Sequence, residues 1–572
     1  MQRLATVGAT TAAAFAPDTT EVVYPVVASS GTPNRGVTNK IAALVQVGDG
    51  PRLAEAMSNA IAAEWHRLVR ECFGTNDVLA TPGMPDLWWV CVSGGREDYR
   101  TLWRRGAELA VARRRSRVFT PLGELAGGWL CSQSPRLLSV RRPRNNVRGH
   151  ERGERLSAAG WVKRTYRRGQ DMSATPSTLS VASTTLRVRL LRESPQGLTD
   201  QVSVLREAAS KVAGRLVAEQ SVVTGVPIAL SPLATELGAW VDPARWDTVG
   251  LGREFGTAPP TDVVASGRRA AIELVRLATA AGIAPLTPYY AVVVQDLDHL
   301  GRAMAELELA DQRVASEQLV ALGQAQRDAA GGAELPGVPI YTGGDDFLTF
   351  CPAAGALTLA ARVRRLVDEH LGDGPLRSVD GRPITASTAV VFAHAQTPLR
   401  TVMEAAGQTL TAAKQTRSRD GRDRDAIGVL VLRRHGERTR SIQPWAHDPV
   451  ARWEALRPEH GGLSGGLASQ LEQDAAHVSQ LAADPRRSPT LEAELTRLVL
   501  RHSGGLDEQE ALRAAVALHE LAWAERDRTG RGISDGPDGG ETAVRYSRWP
   551  SSGNYRPVSS LLVARFMSQE CR

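Results

Sequence analysis

The chain has 572 residues, 42% hydrophobic and 23% charged, an ordinary globular balance with room for three or four domains at about 150 residues each. Gly (53) and Pro (32) are plentiful but not periodic, and no apolar run approaches the ~20 residues of a membrane span, which excludes a collagen-like repeat and a transmembrane helix. The five cysteines lack paired spacing, excluding a disulfide framework or a complete zinc site and fitting a reducing cytoplasm. The net charge of +7 favours anionic partners.

Met1–Ala16 is too weakly apolar at its centre for a secretory signal. From 21 to 119, strand-like runs at Val22–Val27, Ile41–Val47 and Leu87–Val92 alternate with helical patterns at Pro51–Phe73 and Asp98–Arg114, which predicts an α/β layer. The stretch Thr101–Arg168 holds 17 Lys/Arg against 4 Glu and no Asp. Two readings stand for it: a solvated basic face, or a surface for RNA or an RNA–protein assembly. Gly/Pro/Arg-rich loops then lead to helices at Thr199–Glu219 and Ser266–Ala281.

A second α/β layer spans Tyr290 to Arg434 in the order β-α-β-β-α-β-α-β, and a mainly helical segment follows, with helices at Leu491–His502 and Gln509–Arg526 and a Gly/Asp-rich insert at Asp527–Gly540. The apolar run 291–294 ends at Gln295-Asp296, as expected of a buried strand delivering a carboxylate. Asp298 follows, and Gly301 opens a long helix through Gln326. Val338–Thr342 and Phe347–Phe350 flank Gly343-Gly344-Asp345-Asp346, a hairpin tip. Such a tip suits a plain turn equally well. Its pairing with a strand-end Asp some 50 residues upstream favours a two-metal site, because joining a 3′-hydroxyl to an α-phosphate needs two divalent ions about 4 Å apart, held by rigid carboxylates. Ile384–Phe392 reads as a strand and Pro398–Gln415 as a helix whose Lys414 meets either a triphosphate or only solvent.

The segments 292–304, 341–350, 385–399 and 412–415 resemble the cyclase palm in the large subunit of type III CRISPR effector complexes, whose pattern is Asp-Gly-Asp-x-x-Gly, Gly-Gly-Asp-Asp, Ser-x-Gly and Ala-Lys. Thr32-Pro33-Asn34-Arg35, Glu154-Arg155-Leu156, Lys163-Arg164, Thr175-Pro176-Ser177-Thr178 and Ala564-Arg565-Phe566 are similar, in matching order, to elements of the III-B branch. The resemblance implies an α/β (α+β) fold with two ferredoxin-like palms: 1–119 a first, non-catalytic palm; 120–289 a basic, helical insert; 290–435 the cyclase palm; 436–572 a helical domain. It implies Asp345 and Asp346 as catalytic residues that, with Asp296 and the Leu297 carbonyl, hold two Mg²⁺ or Mn²⁺ ions. It places Gly343, Gly344, Ser387 and Lys414 against the nucleotide. ATP is the implied substrate, cyclic oligoadenylate the product, and guide RNA, target RNA and other effector subunits the partners, away from any membrane.

Several departures carry expectations of their own. The first palm starts almost at Met1, so no HD nuclease domain and no single-stranded DNase activity are expected, and His447-Asp448 reads as chance. Of the family's zinc cysteines only Cys131 remains, with Ser134, Ser157 and Gly160 at the other positions, so zinc is not expected. Leu297 and Ala389 replace glycines; Leu297 fits if its side chain enters the core, whereas Ala389 would intrude on a close phosphate. The alternatives are a catalytically silent RNA-binding scaffold and a diguanylate cyclase, since the two acidic motifs also resemble the GGDEF domain.

Overall fold

The computed structural model describes residues 2–25, 40–75, 87–116, 129–134, 137–143, 153–165, 176–216, 218–219, 221–223, 225–332, 336–416, 424–433, 438–456, 465–502, 508–529 and 559–571. The Pro-Asn-Arg segment, most of the 527–540 insert and parts of the basic stretch lie outside them.

Two N-terminal strands, β1 (Glu21–Tyr24) and β2 (Ala42–Leu44), pair antiparallel, with the helices Gly50–Phe73 and Tyr99–Arg115 following. The run Leu87–Val92, expected as a strand, joins no ladder among the described residues, and Leu87 and Trp89 are exposed. Among the described residues the N-terminal layer is two-stranded.

The palm is built on β3 (Tyr289–Leu297), β4 (Val338–Thr342), β5 (Asp346–Pro352), β6 (Ala386–His394), β7 (Ala426–Leu432) and β8 (Arg438–Pro444). They form one mixed sheet in the order β4-β5-β3-β6-β7-β8, with β6 and β7 parallel and every other pair antiparallel. The expected boundary at 435 falls inside this sheet, because β8 pairs with β7 along its full length. β3 lies at the centre because both of its faces are apolar, and its residues alternate between two cores. Tyr289, Ala291 and Val293 face the helix Ala356–Leu371 and the C-terminal helices, while Tyr290 and Val292 face the helices Leu399–Lys414 and Thr178–Ala182.

The helix expected over 301–326 is two helices, Leu300–Ala305 and Leu309–Gly331. The break is where the N-terminal layer docks. Glu306 pairs with Arg104 and Glu308 with Arg100 (both 2.8 Å), Leu307 is buried, and Tyr99 donates to Gln312 at 2.5 Å. Glu21 bridges Arg96 (2.7 Å) and Arg313 (2.6 Å). Tyr24 belongs to the same apolar cluster as Leu297, Met304 and Leu319, with Trp103 packed against it.

Between the two layers, Ser177 caps the helix Thr178–Ala182 by accepting from the Ser180 N–H, and Thr178 donates to the Ala395 carbonyl at 2.8 Å, fastening the Pro-Ser-Thr element to the palm. Arg187 is fully buried and saturated by the carbonyls of Ser180, Leu233 and Ala234. Buried Cys131 has Ser157, Gln133 and Ser134 as hydrogen-bond partners, which lower its thiol pKa against the upward push of burial. Phe566, expected on a terminal helix, is buried against Tyr289 and Phe392, with 5.0 Å between ring centroids in each pair. Asp448 caps the helix Pro449–Glu454 by accepting from Ala451, a local role that accounts for the His447-Asp448 pair. Among the described residues, no helix is long and apolar enough to cross a membrane.

Candidate active site

Ladder register assembles the site. On β3, Asp296 lies opposite Asp346 of β5 on one side and Ser387 of β6 on the other. Directly opposed residues share a face, so all three side chains stand together on the face that also carries the helix Leu399–Lys414. Asp298, two residues on, shares that face.

The hairpin tip is held from behind. Gly343 N–H donates to the Asp346 carbonyl at 2.9 Å and Leu297 N–H to the Asp345 carbonyl at 3.1 Å, tying the turn to the end of β3. Gly344 has φ +86°, a left-handed conformation that disfavours any side chain, and a Cβ there would stand 3.0 Å from the Leu319 carbonyl. Gly323 completes this contact from the helix side. A Cβ on it would meet the Gly344 nitrogen and the Thr342 carbonyl at 3.3 Å. The helix Leu309–Gly331 thus seats the acidic turn by backbone contact.

Electrostatically the site is short of positive charge. Packing around the strand ends strips water from the Asp346 carboxyl, and the charges of Asp345 and Asp296 repel another, so its pKa rises to about 7 although Lys414 opposes the shift. Burial also raises Asp345, reinforced by Asp296 and opposed by backbone N–H groups and by Lys40 of the N-terminal layer. Lys40 stands 5.4 Å from the centroid of the Trp103 ring. Lys414, at the end of its helix, forms an ion pair with Asp296.

These acids fit a divalent ion. Mg²⁺ takes one or two carboxylates and completes its shell with phosphate oxygens and water. Asp296 and Asp346 in mutual contact, with Asp345 adjacent, supply hard oxygen donors whose repulsion a cation relieves. Among the described residues, no three His, Cys, Asp or Glu side chains converge closely enough to hold a metal ion by themselves.

Residues 289–424 match the model of the Cas10/Cmr2 second palm domain. That stretch is a second palm of the Cas10/Cmr2 type. The chain's fold is similar to a chain of the type III-B Cmr-beta complex, solved by cryo-EM in the apo state, with a TM-score of 0.51 and 13% identity over 86% of this chain and 70% of that one. The same complex bound to cognate target RNA gives 0.49 and 13%, over 88% and 67%. The GGEEF domain of a diguanylate cyclase from Vibrio cholerae gives 0.19 and 17%, over 26% of this chain and 84% of that one. At 13% identity the likeness to the apo-state chain is one of fold. No curated protein matches the chain.

The Cas10/Cmr2 palm brings Asp296, Asp345, Asp346, Gly343, Gly344 and Lys414 together at one strand edge. Ser387 takes a different place, whereas Leu297 meets the condition for its fit. Ser387 is fully buried, and its hydroxyl donates to Asp298 Oδ1 at 2.8 Å, so it meets a carboxylate instead of the open face. Leu297 turns its side chain into the core, 4% exposed, which leaves the strand end undisturbed. Ala389 is fully buried between Val294 and Gly428, within the sheet and away from the open edge, so its methyl does not obstruct the acids.

Asp298 is the residue that motif reading passed over. It is 2% exposed and accepts from the Thr385 hydroxyl (2.8 Å), the Ser387 hydroxyl and the Asp425 N–H (3.1 Å). Burial raises its pKa, and these three donors oppose the rise. Its position two residues after Asp296, on the same strand face, was the available signal.

Proposed function

We propose that this chain is the large subunit of an RNA-guided type III-B effector complex. It assembles with guide RNA and partner subunits and, when target RNA binds, converts ATP to cyclic oligoadenylate. The observation that carries this reading is the register pair Asp296–Asp346 at the Gly-Gly-Asp-Asp tip. It sets two carboxylates side by side on a rigid sheet edge, as nucleotidyl transfer requires.

Asp296, Asp345 and Asp346 would hold Mg²⁺ or Mn²⁺, which supplies activation of the attacking oxygen and charge stabilisation for the leaving pyrophosphate. The chain's own residues do the rest. Gly343 and Gly344 let the turn seat against Tyr341 and the Leu319 carbonyl, which fixes the two acids that follow. Lys414 neutralises Asp296 while no cation is bound and is placed to meet phosphate charge once Asp296 takes a metal.

The test is incubation of the assembled complex with labelled ATP or GTP, with and without complementary RNA. RNA-dependent cyclic oligoadenylate supports the proposal, and a cyclic dinucleotide from GTP would move the chain to the diguanylate cyclases. One observation favours a silent scaffold: Lys414 already closes one of the acids. That reading predicts no product from either nucleotide with RNA binding intact.

A further inference from the structure

We infer that Asp298 is a positioning residue that binds no metal and instead locks the strand end carrying Asp296 to the helix end carrying Lys414. The inference rests on the proposed nucleotidyl transfer.

An acid two residues from a metal-binding aspartate, on the same strand face, invites assignment as another ligand. Its contacts oppose that assignment. Asp298 is buried, and both of its carboxylate oxygens are occupied by donors that come from different strands. Thr385, just before β6, donates to Oδ2 and Ser387 in β6 donates to Oδ1, while the Asp425 N–H, just before β7, donates to Oδ2. The Asp298 N–H donates in turn to the Thr385 carbonyl at 2.8 Å. The Arg424 guanidinium lies 4.0 Å from Oδ1. To reach a metal, this carboxylate would have to abandon donors that have no water to replace it.

The same contacts give it a mechanical task. Arg424 N–H donates to the Thr416 carbonyl at 2.7 Å, so the start of β7 is joined to the residue two positions beyond Lys414. Asp425 is also held by Arg364, whose Nε donates to its carboxylate at 2.9 Å. Asp298 therefore connects three strand ends, those of β3, β6 and β7, and through β7 the helix end that bears Lys414. Asp296 and Lys414 come from different elements, and this buried carboxylate fixes their relative placement.

The experiment compares Asp298→Asn, Asp296→Asn, Thr385→Val and Thr385→Ser in the full chain. Mn²⁺ affinity is followed by electron paramagnetic resonance, and ATP turnover is followed in the assembled complex. Thr385→Val keeps shape and loses only the hydroxyl, so it reports on the network even if Asp298→Asn folds poorly. We expect Asp298→Asn and Thr385→Val to bind Mn²⁺ within about threefold of the parent while kcat falls about tenfold or more, as misplaced reacting groups cost. Thr385→Ser should recover most of that loss, and Asp296→Asn should weaken Mn²⁺ at least about tenfold. Loss of Mn²⁺ affinity in Asp298→Asn matching that of Asp296→Asn would overturn the inference by making Asp298 a ligand. Normal kcat in both Asp298→Asn and Thr385→Val would overturn it by leaving nothing for the network to position. If the parent complex converts no nucleotide, the functional reading fails separately, and the Mn²⁺ comparison still decides whether Asp298 is a ligand.

Discussion

Asp296 sits directly opposite Asp346 in the last pair of the β3–β5 ladder, one residue from the end of β3, with Ser387 opposite it on the other side. Two like charges on adjacent strands are unfavourable. The chain accepts that cost at the strand ends, where Lys414 brings a counter-charge.

The first prediction concerns pH. With the Asp346 pKa raised to about 7, the carboxyl is mostly protonated below that pH, and a divalent ion must displace its proton. Mn²⁺ affinity of the full chain should therefore climb by up to about tenfold per pH unit as pH rises toward 7, then level off. Asp296→Asn removes one repelling charge and should move the levelling point to lower pH. Titrations showing the same affinity from acid to mildly alkaline pH would contradict this account of the site.

Gly344→Ala should be costly. It adds about 1–2 kcal/mol of left-handed backbone strain, and its Cβ would press on the Leu319 carbonyl. Chemical denaturation should show a loss at least that large, and turnover should fall as the acidic tip is displaced. A melting curve like that of the parent would mean that the tip is not seated on its helix.

Lys414→Met should leave the fold intact, because the side chain is partly exposed, yet raise the KM for ATP about tenfold by removing a phosphate partner. A changed kcat at unchanged KM would place Lys414 in the chemical step instead of in binding.

Docking of the N-terminal layer has its own pH signature. Burial would raise the Glu21 carboxyl, but Arg313 and Arg96 together hold it below its ordinary value of 4.5. A depressed carboxylate contributes stability above its unfolded pKa and loses it as pH falls through the folded value. Glu21→Gln should cost about 1 kcal/mol or less near neutral pH, given the partial exposure of the pair, and nothing in strong acid. Denaturation at the two pH values checks this. An equal loss at both would show that the bridge contributes through shape and not through charge.

Arg113, Arg114 and Arg115 end the helix Tyr99–Arg115 with their residues exposed. If this face binds guide RNA, changing all three to Ala should reduce the slope of log affinity against log salt by about 2. An unchanged slope would return the stretch to a solvated surface.

Much of the palm was legible because its signals are local. Apolar runs of strand length, a Gly-Gly-Asp-Asp turn and helices with apolar residues at periodic spacing place β3 to β7 in order. What escaped depends on distant partners. Leu87–Val92 has a strand-like composition but pairs with no described strand. The helix after Asp298 breaks at 306–308 because Leu307 is buried and Glu306 and Glu308 turn to arginines some 200 residues upstream. Ser387 fitted a phosphate-binding motif, but ladder register sets it beside buried Asp298. Lys414 was left between triphosphate and solvent, and the fold pairs it with Asp296, a partner more than 100 residues away in the chain.

The most direct measurement is the product formed from labelled ATP by the assembled complex with complementary RNA, compared between the parent and Asp345→Ala/Asp346→Ala. The account predicts RNA-dependent cyclic oligoadenylate from the parent and none from the variant, with guide and target RNA bound equally by both. Equal product from both would show that the acids of the hairpin tip are not the working site. No product from either would leave the palm a silent part of an RNA-binding subunit.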